Sequence, residues 1–247
     1  HLLRRQRQMC IRDSRRFGYF SDGIFMSQDE INNHQVIQDG NGNLLLNPGD
    51  IKYKDLDGND TINFRDQGVI GFAGGMPEMN FGMNLRASYK NFQLSVLLQG
   101  ASKFSIYING PAATMFSNGS IPLSYHYKYA WQPHPDDPSI NINPDAILPA
   151  SSFSASTNNS RVSDFWLRDV RYLRLKNINI SYNIPNNIIS KIGLNSTQLY
   201  LSTENIFTLT NLGIYKNSFD PEFDPNTQTT RRYPITRSFT AGIKMTF

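Results

Sequence analysis

The chain has 247 residues, of which 39% are hydrophobic and 18% charged, and its mean hydropathy is −0.44. No run approaches the ~18 apolar residues of a membrane helix, which excludes a helical membrane protein and leaves strand-built ones open. The net charge of +4 sits in residues 1–16, where Arg4, Arg5, Arg7, Arg12, Arg15 and Arg16 face one acid, Asp13; the remaining 18 basic and 19 acidic residues make no electrostatic case for nucleic acid.

Residues 1–16 also hold the single cysteine, Cys10, and have neither an initiating Met nor the apolar h-region of a signal peptide. Their composition resembles nothing downstream. We expect a non-native or artefactual head here, with a native basic arm as the alternative, and a fold that begins at residue 17. A cysteine-free remainder is compatible with an exported bacterial protein.

Ser27-Gln-Asp-Glu30 ahead of Ile31 is a capping box and predicts a short helix over 28–33. Gly40, Gly42, Pro48 and Gly49, among Asn and Asp, make 38–50 a loop. From 80 to 89, Phe81, Met83, Leu85, Ala87 and Tyr89 alternate with Asn80, Gly82, Asn84, Arg86 and Ser88, so one strand face is greasy and the other polar. Phe92, Leu94, Val96 and Leu98 continue the pattern after Lys90-Asn91, which predicts a hairpin with a two-residue connection. A shorter alternation follows at Phe104, Ile106 and Ile108.

Seven prolines between 110 and 164 rule out a regular sheet interior and predict a long connection, with a helical turn around 123–131. In 166–184, Leu173 and Leu175 share one face while Ile178, Ile180 and Tyr182 share the other, and a bulge near Lys176-Asn177 would reconcile them. Residues 185–193 read as a compact turn, 198–207 as a strand and 211–234 as a loop. The last ten residues, Ser238-Phe-Thr-Ala-Gly-Ile-Lys-Met-Thr-Phe247, put Phe239, Ala241, Ile243, Met245 and Phe247 on one face. Aromatics at both ends of an aliphatic face suit a lipid-facing strand with interfacial girdles, and ten residues suit a tilted crossing of about 9–11. This reads as the closing strand of an outer-membrane β-barrel, whose short Lys90-Asn91 turn faces the periplasm.

Several segments together resemble the SusC/RagA family of TonB-linked outer-membrane transporters. They are Gly18-Tyr-Phe-Ser-Asp-Gly-Ile-Phe25 with Gln28-Asp-Glu-Ile31, and Pro48-Gly-Asp-Ile-Lys-Tyr-Lys-Asp-Leu-Asp-Gly58 with Val69-Ile-Gly71 and Pro77. Residues 94–100, Trp131-Gln-Pro133, Trp166-Leu-Arg-Asp-Val-Arg-Tyr-Leu-Arg-Leu-Lys-Asn177, Glu204-Asn-Ile-Phe-Thr208, Asp220-Pro-Glu222 and Tyr233-Pro234 follow in order. The set spans 17–247 and matches only the C-terminal end of such a protein; the family's signal peptide, TonB-contacting segment and plug have no counterpart in these residues. The implied fold is all-β: the C-terminal part of a large antiparallel transmembrane β-barrel, an incomplete open sheet of roughly eight to ten strands with long extracellular loops. The implied activity is import of a glycan or peptide across the outer membrane of a Gram-negative bacterium. The implied partners are TonB, through the absent plug region, a SusD-like surface lipoprotein, and outer-membrane lipid. Phe239, Ile243, Met245 and Phe247 would form the membrane-insertion signal.

One loop carries a ligand-like pattern. Asp55, Asp57, Asn59, Asn63 and Asp66 put side-chain oxygens at positions 1, 3, 5, 9 and 12 of a calcium loop, and Thr61 can offer a carbonyl at position 7. Asp60 stands at position 6, where Gly is usual, and Asp66 replaces the longer Glu at position 12. A structural Ca2+ site and a metal-free Asx-rich turn are both open. Loop aromatics Tyr125, Tyr129 and Trp131 can stack on cargo or pad the loops. Arg168, Arg171, Arg174 and Lys176 read as a lumen track or as a solvated face. No Gly-x-Ser-x-Gly, His-Glu-x-x-His or phosphate loop is present, and His34, His126 and His134 are isolated, so an enzyme is not expected. The rival readings are a secreted calcium-clipped β-sandwich that binds carbohydrate and a small self-contained outer-membrane barrel. In a sandwich the greasy faces would pack against each other.

Overall fold

The computed structural model describes residues 15–73, 76–116, 119–151, 156–222 and 235–246, the side chain of Ile192 excepted. The chain divides into two compact units: His1–Met76, Phe104–Asp169 and Ile214–Arg232 form the first, and Pro77–Lys103, Val170–Gly213 and Tyr233–Phe247 the second.

The first unit opens with β1 (Arg15–Tyr19), β2 (Ser21–Ile24), helix α1 (Gln28–Asn32), β3 (Ile51–Tyr53) and β4 (Gln67–Phe72). β1 pairs antiparallel with β4, and β2 with β3. Arg15 and Arg16 lie opposite Phe72 and Gly71, and residues 1–14 lie outside the described residues. Half of the expected capping box forms: the Ser27 hydroxyl accepts from Glu30 N–H at 3.3 Å, whereas Glu30 Oε2 accepts from Met26 N–H, one residue before the N-cap, at 2.7 Å. In the 38–50 loop the Asp39 carboxylate accepts three backbone N–H bonds, from Asn41, Asn43 and Leu45. A buried Gln38 bridges inward, its amide donating to Ile51 O and accepting from Tyr53 N–H.

The proline-rich segment adds helix α2 (Ser124–Tyr129), where the sequence placed a helical turn. Its His126 is buried, accepts Leu123 N–H on Nδ1 at 3.1 Å and meets Ala112 O through Nε2 at 2.9 Å. The first contact fixes Nδ1 as acceptor, so Nε2 carries the proton and donates. Burial pushes the His126 pKa down, against the opposing pull of the Ala112 carbonyl, and burial does the same at His34. Below an unfolded value of about 6.5 the unfolded chain therefore takes up protons that the folded unit resists. Stability is thus complete above that pH and falls as the pH drops through it. Both tryptophans, Trp131 and Trp166, are buried in this unit. Their fluorescence in the detergent-solubilised chain should show a melting temperature that declines from pH 7.5 to pH 5, with a shallower decline in His126→Gln.

The second unit holds β5 (Met79–Tyr89) and β9 (Ser238–Thr246), with most of β6 (Phe92–Tyr107), β7 (Leu167–Asn183) and β8 (Ser196–Thr210). These five strands form one open sheet in the order β5-β6-β7-β8-β9. Lys90 adopts φ 52° in the two-residue turn, as a tight hairpin requires. The stretch 92–98 and the alternation from Phe104 join in a single 16-residue strand that ends at Tyr107, with Lys103 at φ 59° interrupting its regularity. The register shift between Leu175 and Asn177 is the bulge that the phase change in 166–184 demanded. Helix α3 (Asn186–Ile189), a short 3-10 turn and Gly193 at φ 76° build the compact β7–β8 connection.

Nine strands occur among the described residues, but five join the sheet, fewer than the eight to ten expected for the barrel wall. Residues 15–72 go instead into short pairs whose strands are three to six residues long. Aromatic side chains cover two sheet glycines. A Cβ on Gly100 would meet the ring of its partner Phe81 at 2.2 Å and the Tyr172 carbonyl oxygen at 2.6 Å; one on Gly242 would meet the Tyr200 ring at 2.4 Å. Phe81 can swing aside but the Tyr172 backbone cannot. Gly100→Ala should therefore lower the sheet's stability by about 1–3 kcal/mol, read as loss of the folded band in unheated gel electrophoresis.

Candidate membrane-spanning sheet and acidic loop

The pairing register fixes two chemically opposite faces. On one, Met83, Leu85, Ala87 and Tyr89 lie opposite Leu98, Val96, Leu94 and Phe92. On the same basis Ile180 and Tyr182 face Leu201 and Leu199, which face Ala241 and Ile243. The rings of Phe92 and Tyr182 meet at 4.5 Å and join the two sets. This face is bare: Met83, Leu85, Leu201, Ile243 and Met245 are about half exposed, and Phe239 is 70% exposed. Tyr89, Phe92 and Tyr182 ring the end at the Lys90-Asn91 turn, and Phe81, Phe207 and Phe239 stand towards the other end. From Met79 to Tyr89 the strand rises about 33 Å, which a tilt of ~40° reduces to about 25 Å, the height of an outer-membrane apolar band.

The opposite face is polar. Arg86, Ser88, Gln93 and Ser95 line one concavity with Asn179, Ser181 and Gln198. Gln198 donates to Asn183 Oδ1 at 3.0 Å and to Ser181 Oγ at 3.3 Å, and Ser238 donates to Glu204 at 3.2 Å. A water-soluble sheet buries its greasy face and wets the polar one. Here the greasy face is outermost and the polar face lines a hollow, as in a barrel wall between lipid and an aqueous lumen. The connections after β5 and β7 are compact, while those after β6 and β8, 108–166 and 211–237, are long. Membrane barrels show the same asymmetry between periplasmic turns and extracellular loops.

In the acidic loop, carboxylate oxygens of Asp55, Asp57 and Asp66 converge within 4.8 Å of one another. Asp66 is fully buried; its Oδ1 accepts from Leu56 N–H at 2.9 Å and Asp57 N–H at 3.4 Å, and its Oδ2 from Asn63 N–H at 2.7 Å. Asp55 accepts from Gly58 and Asp60 N–H at 2.8 and 2.7 Å. Burial pushes the Asp55 pKa up, but the backbone donors of Asp60, Gly58 and Asn59 together outweigh it and hold the group below the usual range. Asn59 and Asn63 accept from Thr61 and Arg65 N–H, and the Thr61 carbonyl accepts from the Asn63 amide. Asp60 takes φ 57°, the left-handed turn that Gly makes at that position of a calcium loop. Three converging carboxylates with side-chain amides and a carbonyl are a donor set of hard oxygens, which fits calcium.

No family model matches the chain. Three Formosa agariphila proteins do align with it, among them TonB-dependent receptor P3, 29% identical over all of this chain, and TonB-dependent receptor P26, 26% identical over 91%. The chain is similar to TonB-dependent receptors. It spans about a quarter of their length, 24% of P3 and 22% of P26. Solved structures of the RagAB peptide transporter share the fold at a TM-score of 0.56 and 18% identity, over 94% of this chain and 23% of that one. The RagAB peptide importer in its closed-closed state gives 0.56 at 17% identity. The chain's open five-stranded sheet shares its fold with part of those transporters, so neither the secreted sandwich nor a small closed barrel describes it.

Within the chain the candidate residues separate. Phe239, Ile243 and Met245 stand on the bare face of β9, and Phe247 lies outside the described residues. Tyr125 and Trp131, for which the sequence left cargo stacking and loop padding open, are buried. Tyr125 donates to Ala112 O at 2.6 Å and packs its ring on Tyr215 and Phe219; Trp131 donates to Met26 O at 3.3 Å. Tyr129 remains half-buried beside Lys128. The basic row does not form a track. Arg168 donates to Asp164 O and lies over Tyr215, Arg174 is buried and donates to Thr208 Oγ1 at 2.7 Å, and Arg171 is exposed beside Leu173 and Leu209. Alternation could have set Arg171 apart from Arg168 and Arg174, since it alone is odd-numbered.

Proposed function

We propose that the chain is the C-terminal barrel segment of a TonB-dependent importer that carries a glycan or peptide across the outer membrane with a SusD-like surface lipoprotein. The observation that carries this reading is the inverted sheet: a bare apolar face ringed by aromatics behind a polar face that lines a hollow. The sheet supplies barrel wall, and the long connections supply the extracellular loops. Energy reaches the transporter through TonB and a plug in the rest of the receptor. Deleting the receptor gene should abolish growth on one oligomeric nutrient, oligosaccharide or oligopeptide, at limiting concentration and spare growth on the monomers. Unchanged growth on both classes would overturn the importer reading. Co-purification of a surface lipoprotein with the tagged receptor tests the partner.

The acidic loop acts with this reading as a structural calcium clip, supported by its donor set and by the left-handed Asp60. Titration of the chain with calcium by calorimetry should reveal one site, weakened about tenfold by Asp57→Asn. No heat of binding would leave the loop as a metal-free Asx turn.

A further inference from the structure

Behind the aromatic girdle, the outward face of the sheet is not smooth. Phe81, Leu173 and Leu209 line an open groove of about 440 Å³ together with Tyr172, Thr210 and Arg171. All of these residues belong to the second unit. Leu209 is 60% exposed, so the groove opens away from the polar concavity. Arg171 sits at the end of the sheet where the long connections leave, its backbone held by the Asn211 side chain, which accepts Arg171 N–H at 2.9 Å. No ion pair to its guanidinium occurs among the described residues.

An arginine on a lipid-facing wall is costly at mid-bilayer and nearly neutral at the headgroup level. From the Tyr182 girdle to Arg171 the strand covers about 33 Å, or about 25 Å of height at ~40° tilt, which sets Arg171 at the opposite headgroup level. An apolar trough beside an exposed guanidinium matches an acyl chain that ends in a phosphate, since arginine presents a fork of donors to phosphate oxygens. Long connections mark the extracellular side, so the phosphate comes from the outer leaflet. We propose that this groove holds an acyl chain of a phosphorylated outer-leaflet glycolipid of the lipid A type, with Arg171 bound to its phosphate. The proposal rests on the membrane-spanning reading of the sheet.

The test is native mass spectrometry of the full-length receptor released from micelles doped with diphosphoryl lipid A. A retained lipid is expected on the wild type, with binding at least about tenfold weaker in Arg171→Gln and with dephosphorylated lipid A. Leu209→Trp should fill the groove and weaken binding without touching the charge, and Arg86→Gln on the polar face should leave it unchanged. Equal retention of phosphatidylethanolamine, or equal binding by Arg171→Gln and wild type, would overturn the proposal while leaving the barrel intact. A receptor that extracts from cells without detergent would instead overturn the membrane reading beneath it.

Discussion

Leu85→Arg should destabilise the folded barrel by about 2–4 kcal/mol, while Asn84→Arg one position earlier should change it by no more than about 0.5 kcal/mol. The two residues are neighbours on β5 and point to opposite faces; Leu85 lies opposite Val96 on the apolar side, and Asn84 opposite Leu97. Leu85 falls near the middle of the span from Met79 to Tyr89, where a charge meets hydrocarbon with no water and no partner. The adjacent polar position Arg86 already carries a guanidinium in the wild type, so a second one there meets water and polar groups. Denaturant titration of the receptor in lipid vesicles, with the folded band read on unheated gels, measures both. Equal tolerance of arginine at the two sites would mean that the bare face does not meet lipid.

The second large effect lies in the first unit. Asp66→Ala removes the acceptor for Leu56, Asp57 and Asn63 N–H at a fully buried position. Buried donors left unmatched cost about 1–3 kcal/mol each, and a carboxylate acceptor makes the bonds stronger than neutral ones. A loss of about 3–5 kcal/mol is expected, with Asp66→Asn in between because its one amide oxygen keeps part of the set. Asp57→Ala, at an exposed carboxylate, should stay within about 0.5 kcal/mol when calcium is chelated. Tryptophan-monitored unfolding in detergent with a chelator separates these, because Trp131 and Trp166 both report the first unit. A wild-type midpoint for Asp66→Ala would show that the loop does not depend on its buried carboxylate.

What the sequence revealed follows the range of each physical signal. The β5–β6 hairpin, β9, the α1 cap and the bulge at 176 are written within a few residues of themselves, as alternation, a two-residue turn or a capping box. The pairing of Arg15–Tyr19 with Gln67–Phe72 is not, because short Gly-rich strands alternate too little to show a face and find each other across a long separation. For the same reason the sequence could not choose between cargo stacking and loop padding for Tyr125 and Trp131. Their burial depends on Tyr215, Phe219 and Met26, distant residues that composition cannot bring together. The acidic loop was legible as a spacing of oxygens. The backbone donors that orient Asp55 and Asp66 follow only from the fold.

On this account one face of the sheet meets lipid and the other an aqueous lumen. Nitroxide labels placed one at a time at 177–182 of the full-length receptor, in a cysteine-free background and in vesicles, test it most directly. Collision with dissolved oxygen should peak at 178, 180 and 182, and collision with a water-soluble nickel chelate at 177, 179 and 181. Uniform access to the chelate, or the two reagents peaking on the same residues, would contradict a membrane-spanning wall.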